Sequence, residues 1–203
     1  LQDMANALSA DSVFCSEVKE VISLLLQYKT AYEKDDNSLL QDFPLKLHGV
    51  YTKAQIQVAI GTSTLGRKSP SREGVERNKH LNIEAMFVDI IKNREEGSTT
   101  DYDDKAISPY LFQWDTQNSV NPESPTGQAY INETQTMLLF VREQKTFAED
   151  NSRTMGYVYL GRVTLNSWEY KSLGSRKQMQ IVWNMLESIP GSVMHFARIK
   201  EIA

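Results

Sequence analysis

Apolar periodicity changes once along this chain, and that change constrains the fold more than any other feature. From Ser16 to Lys34, apolar residues recur at Val18, Val21, Ile22, Leu25 and Leu26, then at Tyr28 and Tyr32. That i, i+3/i+4 stripe predicts an amphipathic helix, with Ser16 as its N-cap and Asp35-Asp36-Asn37 at its end. A second helix is signalled by its caps: Thr52 with Gln55 in a capping box, a stripe of Ile56, Ala59 and Ile60, and a stop at Gly61. Beyond Gly61 the period becomes two. Leu81, Ile83, Ala85 and Phe87 alternate with Asn82, Glu84, Met86 and Val88, which predicts a strand buried on at least one face. Met137 to Val141, Tyr157 to Val163 and Met179 to Leu186 are further strand candidates.

Helices first and strands afterwards predict an α+β class: a mainly antiparallel sheet, curved or closed into a partly open barrel, with long polar loops. Leu1 to Phe43 reads as a helical lead-in, with a short extended linker at Asp42 to Gly49. Pro44 to Ala203 reads as the α+β domain. A 40% hydrophobic content supplies enough apolar surface for a real core. No apolar run approaches the roughly 18 residues a membrane span needs, and no secretory signal is present, so no membrane partner and a cytoplasmic location are expected. The chain opens on Leu1 rather than Met and reads as a fragment of something longer. Its single Cys15 suits a reducing compartment and reads as a small buried thiol. With three His, at 48, 80 and 195, no zinc-finger spacing occurs.

A net charge of −4 excludes an indiscriminate polycation, so any nucleic-acid contact must be local. Two segments have the composition for it. Gly66 to His80 carries Arg67, Lys68, Arg72, Arg77 and Lys79, and Trp168 to Gln180 carries Lys171, Arg176 and Lys177. Read as loops, these offer guanidinium forks and backbone N–H groups to phosphate oxygens. Neither is a phosphate-binding P-loop, because G-x-x-x-x-G-K-[ST] is absent. Asp101, Asp103 and Asp104 lack the EF-hand pattern and read as a solvated acidic turn.

An enzyme reading rests on Glu143-Gln144-Lys145, the E-x-K order of magnesium-dependent restriction-type nucleases, with Asp115 or Asp104 as the upstream acid. The stretch from Leu111 to Ile131, LFQWDTQNSVNPESPTGQAYI, raises a different possibility. Trp114 stands among Gln113, Gln117, Thr126, Gln128 and Tyr130, a set that could line a recognition pocket by stacking on a base and reading its edge. The same amides could instead satisfy the backbone of a long loop.

Several blocks carry a resemblance: Tyr51-Thr52, Arg72-Glu73-Gly74-Val75, Leu111-Phe112-Gln113-Trp114 with Gln117, Ser124-Pro125-Thr126-Gly127-Gln128 with Tyr130-Ile131, Leu138 to Glu143, and Tyr159-Leu160-Gly161. From about Leu45 to Leu186 the chain resembles the bacterial "domain of unknown function 3427" family. The resemblance implies an accessory or specificity domain at the C-terminal end of proteins with a superfamily 2 helicase core, often phospholipase-D-nuclease-linked, in restriction-like or phage-defence systems. It implies DNA and the attached helicase and nuclease domains as partners, no cofactor for this fragment and no catalytic residue. Where the family commonly has His before the Trp, this chain has Gln113, so no role requiring imidazole is expected there. The alternatives to a DNA-binding module are the nuclease and a domain that docks on the helicase core.

Overall fold

The computed structural model describes residues 6, 9–31, 43–64, 66–67, 69, 74–91, 103–118, 120–173 and 176–198, with side chains described except at 24–31, 172–173 and 176–177. It divides into two compact units, Leu1–Gln41 and Asp42–Ala203.

In the first unit, helix α1 spans Ser12–Ala31. It begins four residues before the expected Ser16. The Asp11 carboxylate accepts the backbone N–H groups of Val13 and Phe14 at 2.9 and 3.1 Å, so Asp11 satisfies donors that a helix start leaves open. Cys15 is half-buried rather than buried.

The second unit is an α+β fold on one open sheet of eight strands, mixed but mostly antiparallel. The strands are β1 (Val50–Tyr51), β2 (Val75–Asn78), β3 (Ile83–Asp89), β4 (Lys105–Ser108), β5 (Leu111–Asp115), β6 (Thr136–Arg142), β7 (Tyr157–Leu173) and β8 (Arg176–Met185). The order is β2-β3-β6-β7-β8-β5-β4, with β1 added to the start of β7, so the sheet does not close into a barrel. Among the described residues only β3 and β6 run parallel, joined by a crossover that contains β4, β5 and a helix.

Strand β7 organises the sheet. Its first part, through Val163, pairs with β6 on one edge, while its second part, from Val163 to Leu173, pairs with β8. Register shifts between Leu139 and Phe140 and between Leu165 and Ser167 let one 17-residue strand serve both halves. The expected linker at Asp42–Gly49 is tied to this strand: His48 N–H donates to the Tyr159 carbonyl, and Tyr159 N–H donates to that of Gly49.

Three short helices pack around the sheet: α2 (Lys53–Ala59), α3 (Pro125–Ile131) and α4 (Gly191–Ala197). α2 has the expected capping box between Thr52 and Gln55, buries Ile56 and ends before Gly61, whose φ of +72° only glycine adopts freely. The core gathers Phe112, Trp114, Tyr130, Met179, Ile181 and Trp183 with Met86 and Val88 of β3 and Met137, Leu139 and Val141 of β6. Six consecutive residues of β3, Ile83 to Val88, are buried, as expected of a strand covered on both faces. Each large side chain fully buried here contributes about 1.5–3 kcal/mol.

Three segments differ from the sequence reading. Within the basic stretch Gly66–His80, Val75–Asn78 is a strand, with Glu76 and Asn78 buried. Helix α2 makes those polar positions tenable, since Gln57 Nε2 donates to Glu76 Oε2 at 2.7 Å and Asn78 Nδ2 donates to the Ile60 carbonyl at 2.7 Å. The basic stretch Trp168–Gln180 is the end of the β7–β8 hairpin. Finally, Leu111–Ile131 is not one loop: it is strand β5, a turn and helix α3, which Ser124 caps and Pro125 opens.

Candidate functional site

Along β7, β8 and β5 the register aligns Glu169 with Gln180 and Asp115, and Trp168 with Ile181 and Trp114. Because side chains alternate across a strand, these rows lie on opposite faces of the sheet. The first is polar, and its members bond to one another. Lys171 Nζ pairs with Glu169 Oε1 at 2.8 Å and donates to Gln180 Oε1 at 2.5 Å. Gln180 Nε2 donates to Asp115 Oδ1 at 2.9 Å, and Asp115 Oδ2 accepts the Asp103 N–H at 2.7 Å. Asp104 Oδ1 accepts the Asp115 N–H at 2.9 Å. The acidic turn is therefore not solvated throughout, since Asp104 is buried. Beside this network Ser167, Trp168, Glu169, Gln180 and Val182 line a pocket of about 260 Å³.

This arrangement decides what the residues singled out in the sequence can do together. Asp115 and Glu143 are not brought together. Asp115 lies level with Glu169 of β7, whereas the β6 strand leading into Glu143 ends level with Val158. The two β7 positions are eleven residues apart, on the order of 30 Å along a strand. Lys145 is exposed on the turn after β6, far from Asp115 and Asp104. Among the described residues no group of three His, Cys, Asp or Glu is placed to hold a metal ion.

The six residues of the candidate recognition pocket also part company. Trp114 faces the core, edge-on to Tyr130 at 5.6 Å and tilted against Trp183 at 6.4 Å. Gln113 points to the other face, where its Nε2 donates to the Asp103 carbonyl at 2.7 Å and carboxylate at 2.9 Å. On α3, exposed Gln128 donates through Nε2 to the Pro122 carbonyl at 2.7 Å, and Thr126 is half-buried. Gln117 sits in the turn after β5, its carbonyl accepting the Val120 N–H. The amides of Gln113 and Gln128 thus satisfy backbone groups.

Tyr130 makes a connection that no spacing announces. Its hydroxyl donates to Glu84 Oε1 at 2.5 Å, and Gln135 Nε2 donates to Glu84 Oε2 at 2.6 Å. Burial pushes the Glu84 carboxyl above its ordinary 4.5, against the opposing pull of both hydrogen bonds and of Arg77. Burial, then the Glu84 charge, pushes the Tyr130 hydroxyl up. Gln135 Oε1 is buried with no partner. Native Glu84 therefore holds a proton at pH values where the unfolded chain has lost it, so stability rises as pH falls from neutrality towards 4.5. Glu84→Gln should remove that increment. Its new amide can donate to Gln135 Oε1 once the Gln135 amide flips, which keeps the number of hydrogen bonds while removing a buried charge. At neutral pH the variant should therefore be within about 1 kcal/mol of the parent. Urea unfolding of both proteins across that pH range checks this, and a destabilised, equally pH-dependent variant would refute it.

Of the candidate phosphate-binding residues, Arg67, Arg77 and Lys79 are exposed. Lys68 and Arg72 lie outside the described residues. Lys171 is held by Glu169 and Gln180, and Arg176 and Lys177 open β8 at the end of the hairpin. The sequence reading passed over Trp168 and Tyr170, which are 40% and 43% exposed. The signal for them was the alternation in Ser167-Trp168-Glu169-Tyr170-Lys171, two aromatics at strand spacing among polar residues.

An open mixed sheet, buried on both faces at β3 and carrying a polar, internally bonded row at Asp115, Gln180 and Glu169, defines an α+β domain. The chain belongs to the DUF3427 family, whose description is "domain of unknown function", and the family model matches residues 45–196. No curated protein matches the chain.

Proposed function

We propose that this chain is a non-catalytic DNA-binding module that serves a helicase–nuclease core on a longer parent protein. The observation that carries the reading is the end of the β7–β8 hairpin. Its last pairs, Lys171–Gln178, Ser172–Lys177 and Leu173–Arg176, extend beyond Asp115, the end of β5. A two-stranded ribbon with cations at its end has the width a major groove admits and the charge a phosphate backbone attracts. Arg67, Arg77 and Lys79 supply further exposed cations before, on and just after the edge strand β2. The nuclease alternative gains no support from carboxylates at opposite ends of the β7 register.

Titrating a labelled duplex with this chain from about 50 to 200 mM salt tests the proposal. Replacing both Arg176 and Lys177 with Ala should weaken binding and reduce the slope of log K against log salt by about 2 if each contacts one phosphate. With magnesium present the DNA should remain uncut. An unchanged affinity and slope would remove the ribbon from the interface, and no binding of either duplex or single-stranded DNA at low salt would end the DNA reading.

A further inference from the structure

Resting on that DNA-binding reading, we propose that Trp168 and Tyr170 form a stacking platform for two consecutive unpaired bases, so that the preferred ligand is single-stranded. Both rings stand on one face of β7, two residues apart, opposite the fully buried Ile181 and Met179. They are nevertheless substantially exposed, and neither stacks on another ring among the described residues. The edge beside them is open. The β6 partner register ends at Val163, and among the described residues no strand pairs with that edge from Thr164 onward.

Spacing selects the ligand. Positions two apart on a strand are separated by about 6.7 Å. Bases stacked in a duplex follow one another at about 3.4 Å along each strand, and their faces are covered by their neighbours. Two rings at twice that interval match an extended strand with its bases parted, each offering a face to an aromatic. Beyond Tyr170, the start of β8 supplies Arg176 and Lys177 as cations for the phosphates. The charge local to the hairpin, Lys171, Arg176 and Lys177 against Glu169 alone, is complementary to a polyanion, which favours nucleic acid over a peptide strand at this edge.

The test compares oligo(dT) with a duplex of equal length. The unaltered chain should bind oligo(dT) more tightly. Replacing Trp168 and Tyr170 together with Ala should reduce that affinity by roughly fivefold or more for each ring while leaving the salt slope unchanged, because stacking releases no counterions. Replacing both with Phe should restore most of the loss and controls for folding. Oligo(dT) should quench the fluorescence of the unaltered chain, and Trp168→Phe should remove most of that quenching, leaving Trp114 and Trp183 in the core. If the Ala pair binds oligo(dT) as tightly as the unaltered chain, or duplex is preferred throughout, the platform is refuted and the DNA-binding reading survives. If neither DNA form binds and the chain dimerises in sedimentation, the open edge pairs with a second copy, and both proposals fail.

Discussion

Gly127→Ala should lower stability by about 3 kcal/mol or more, moving the thermal midpoint down by roughly 10 °C. The reason is contact rather than conformation. A methyl group at Gly127 would lie 2.0 Å from the carbonyl oxygen of Asn121, 2.9 Å from its carbon and 3.1 Å from Met179 Sδ. That carbonyl cannot easily yield, because the turn is bonded on itself: Ser124 Oγ donates to it at 2.6 Å, and Asn121 Oδ1 accepts the N–H groups of Glu123 and Ser124 at 3.0 and 2.9 Å. Ser124 Oγ also accepts the Gly127 N–H, so the cap and the close approach belong to one device. Displacing α3 would draw Tyr130 away from Glu84, leaving a buried carboxylate short of a donor. Thr126→Ala, one residue away, should cost less than about 1 kcal/mol. Thermal unfolding by circular dichroism measures both, and a Gly127→Ala midpoint within a few degrees of the parent would contradict the packing argument.

Arg142→Met should cost about 3 kcal/mol, and Arg142→Lys should recover only part of it. The guanidinium bonds Asp89 through both carboxylate oxygens, at 2.7 and 2.9 Å, donates to the Met155 carbonyl at 3.0 Å and lies 4.2 Å from the Tyr157 ring centre. It thereby joins the ends of β3 and β6 to the segment entering β7. A point charge on a flexible stem cannot make both forked bonds and the ring contact together. Without the guanidinium, the Asp89 carboxyl loses its forked partner in a site only partly open to water, which is why the loss exceeds that of a surface pair. Glu143→Ala and Lys145→Ala should each stay within about 0.5 kcal/mol. Chemical denaturation of the four variants tests the assignment, and a large loss at Glu143 with none at Arg142 would reverse it.

Caps and periodicity were the legible part of the fold. The Thr52–Gln55 box, the stop at Gly61 and the run Met137–Val141 each express a local rule, and each element appears where its rule places it. Strand β2 was hidden for a physical reason. Its buried positions are Glu76 and Asn78, which read as solvent-facing until Gln57 and Ile60 of a distant segment provide their partners. The N-cap of α1 shifted from Ser16 to Asp11 because two competent caps stood close together and local sequence did not choose between them.

The site was less legible than the fold. Gln113, Trp114, Gln117 and Gln128 are neighbours in sequence, yet a strand sends successive side chains to opposite faces, and this separates Gln113 from Trp114. Asp115 and Glu143 looked compatible because spacing along the chain carries no information about which end of a 17-residue strand each would face.

By itself the sequence determined the class of this protein. A change from helical to alternating periodicity points to the α+β class but not to the order of elements, since β1 precedes α2, α3 lies between β5 and β6 and α4 follows β8. The blocks from Tyr51 to Gly161 carry its family. Only the tertiary structure decided which polar residues act on the backbone and which remain available. Hydrogen bonds such as Tyr130 to Glu84, 46 residues apart, exist only once the sheet order is set. The same order left Trp168 and Tyr170 at an open edge, because β6 stops pairing at Val163 while β7 continues to Leu173.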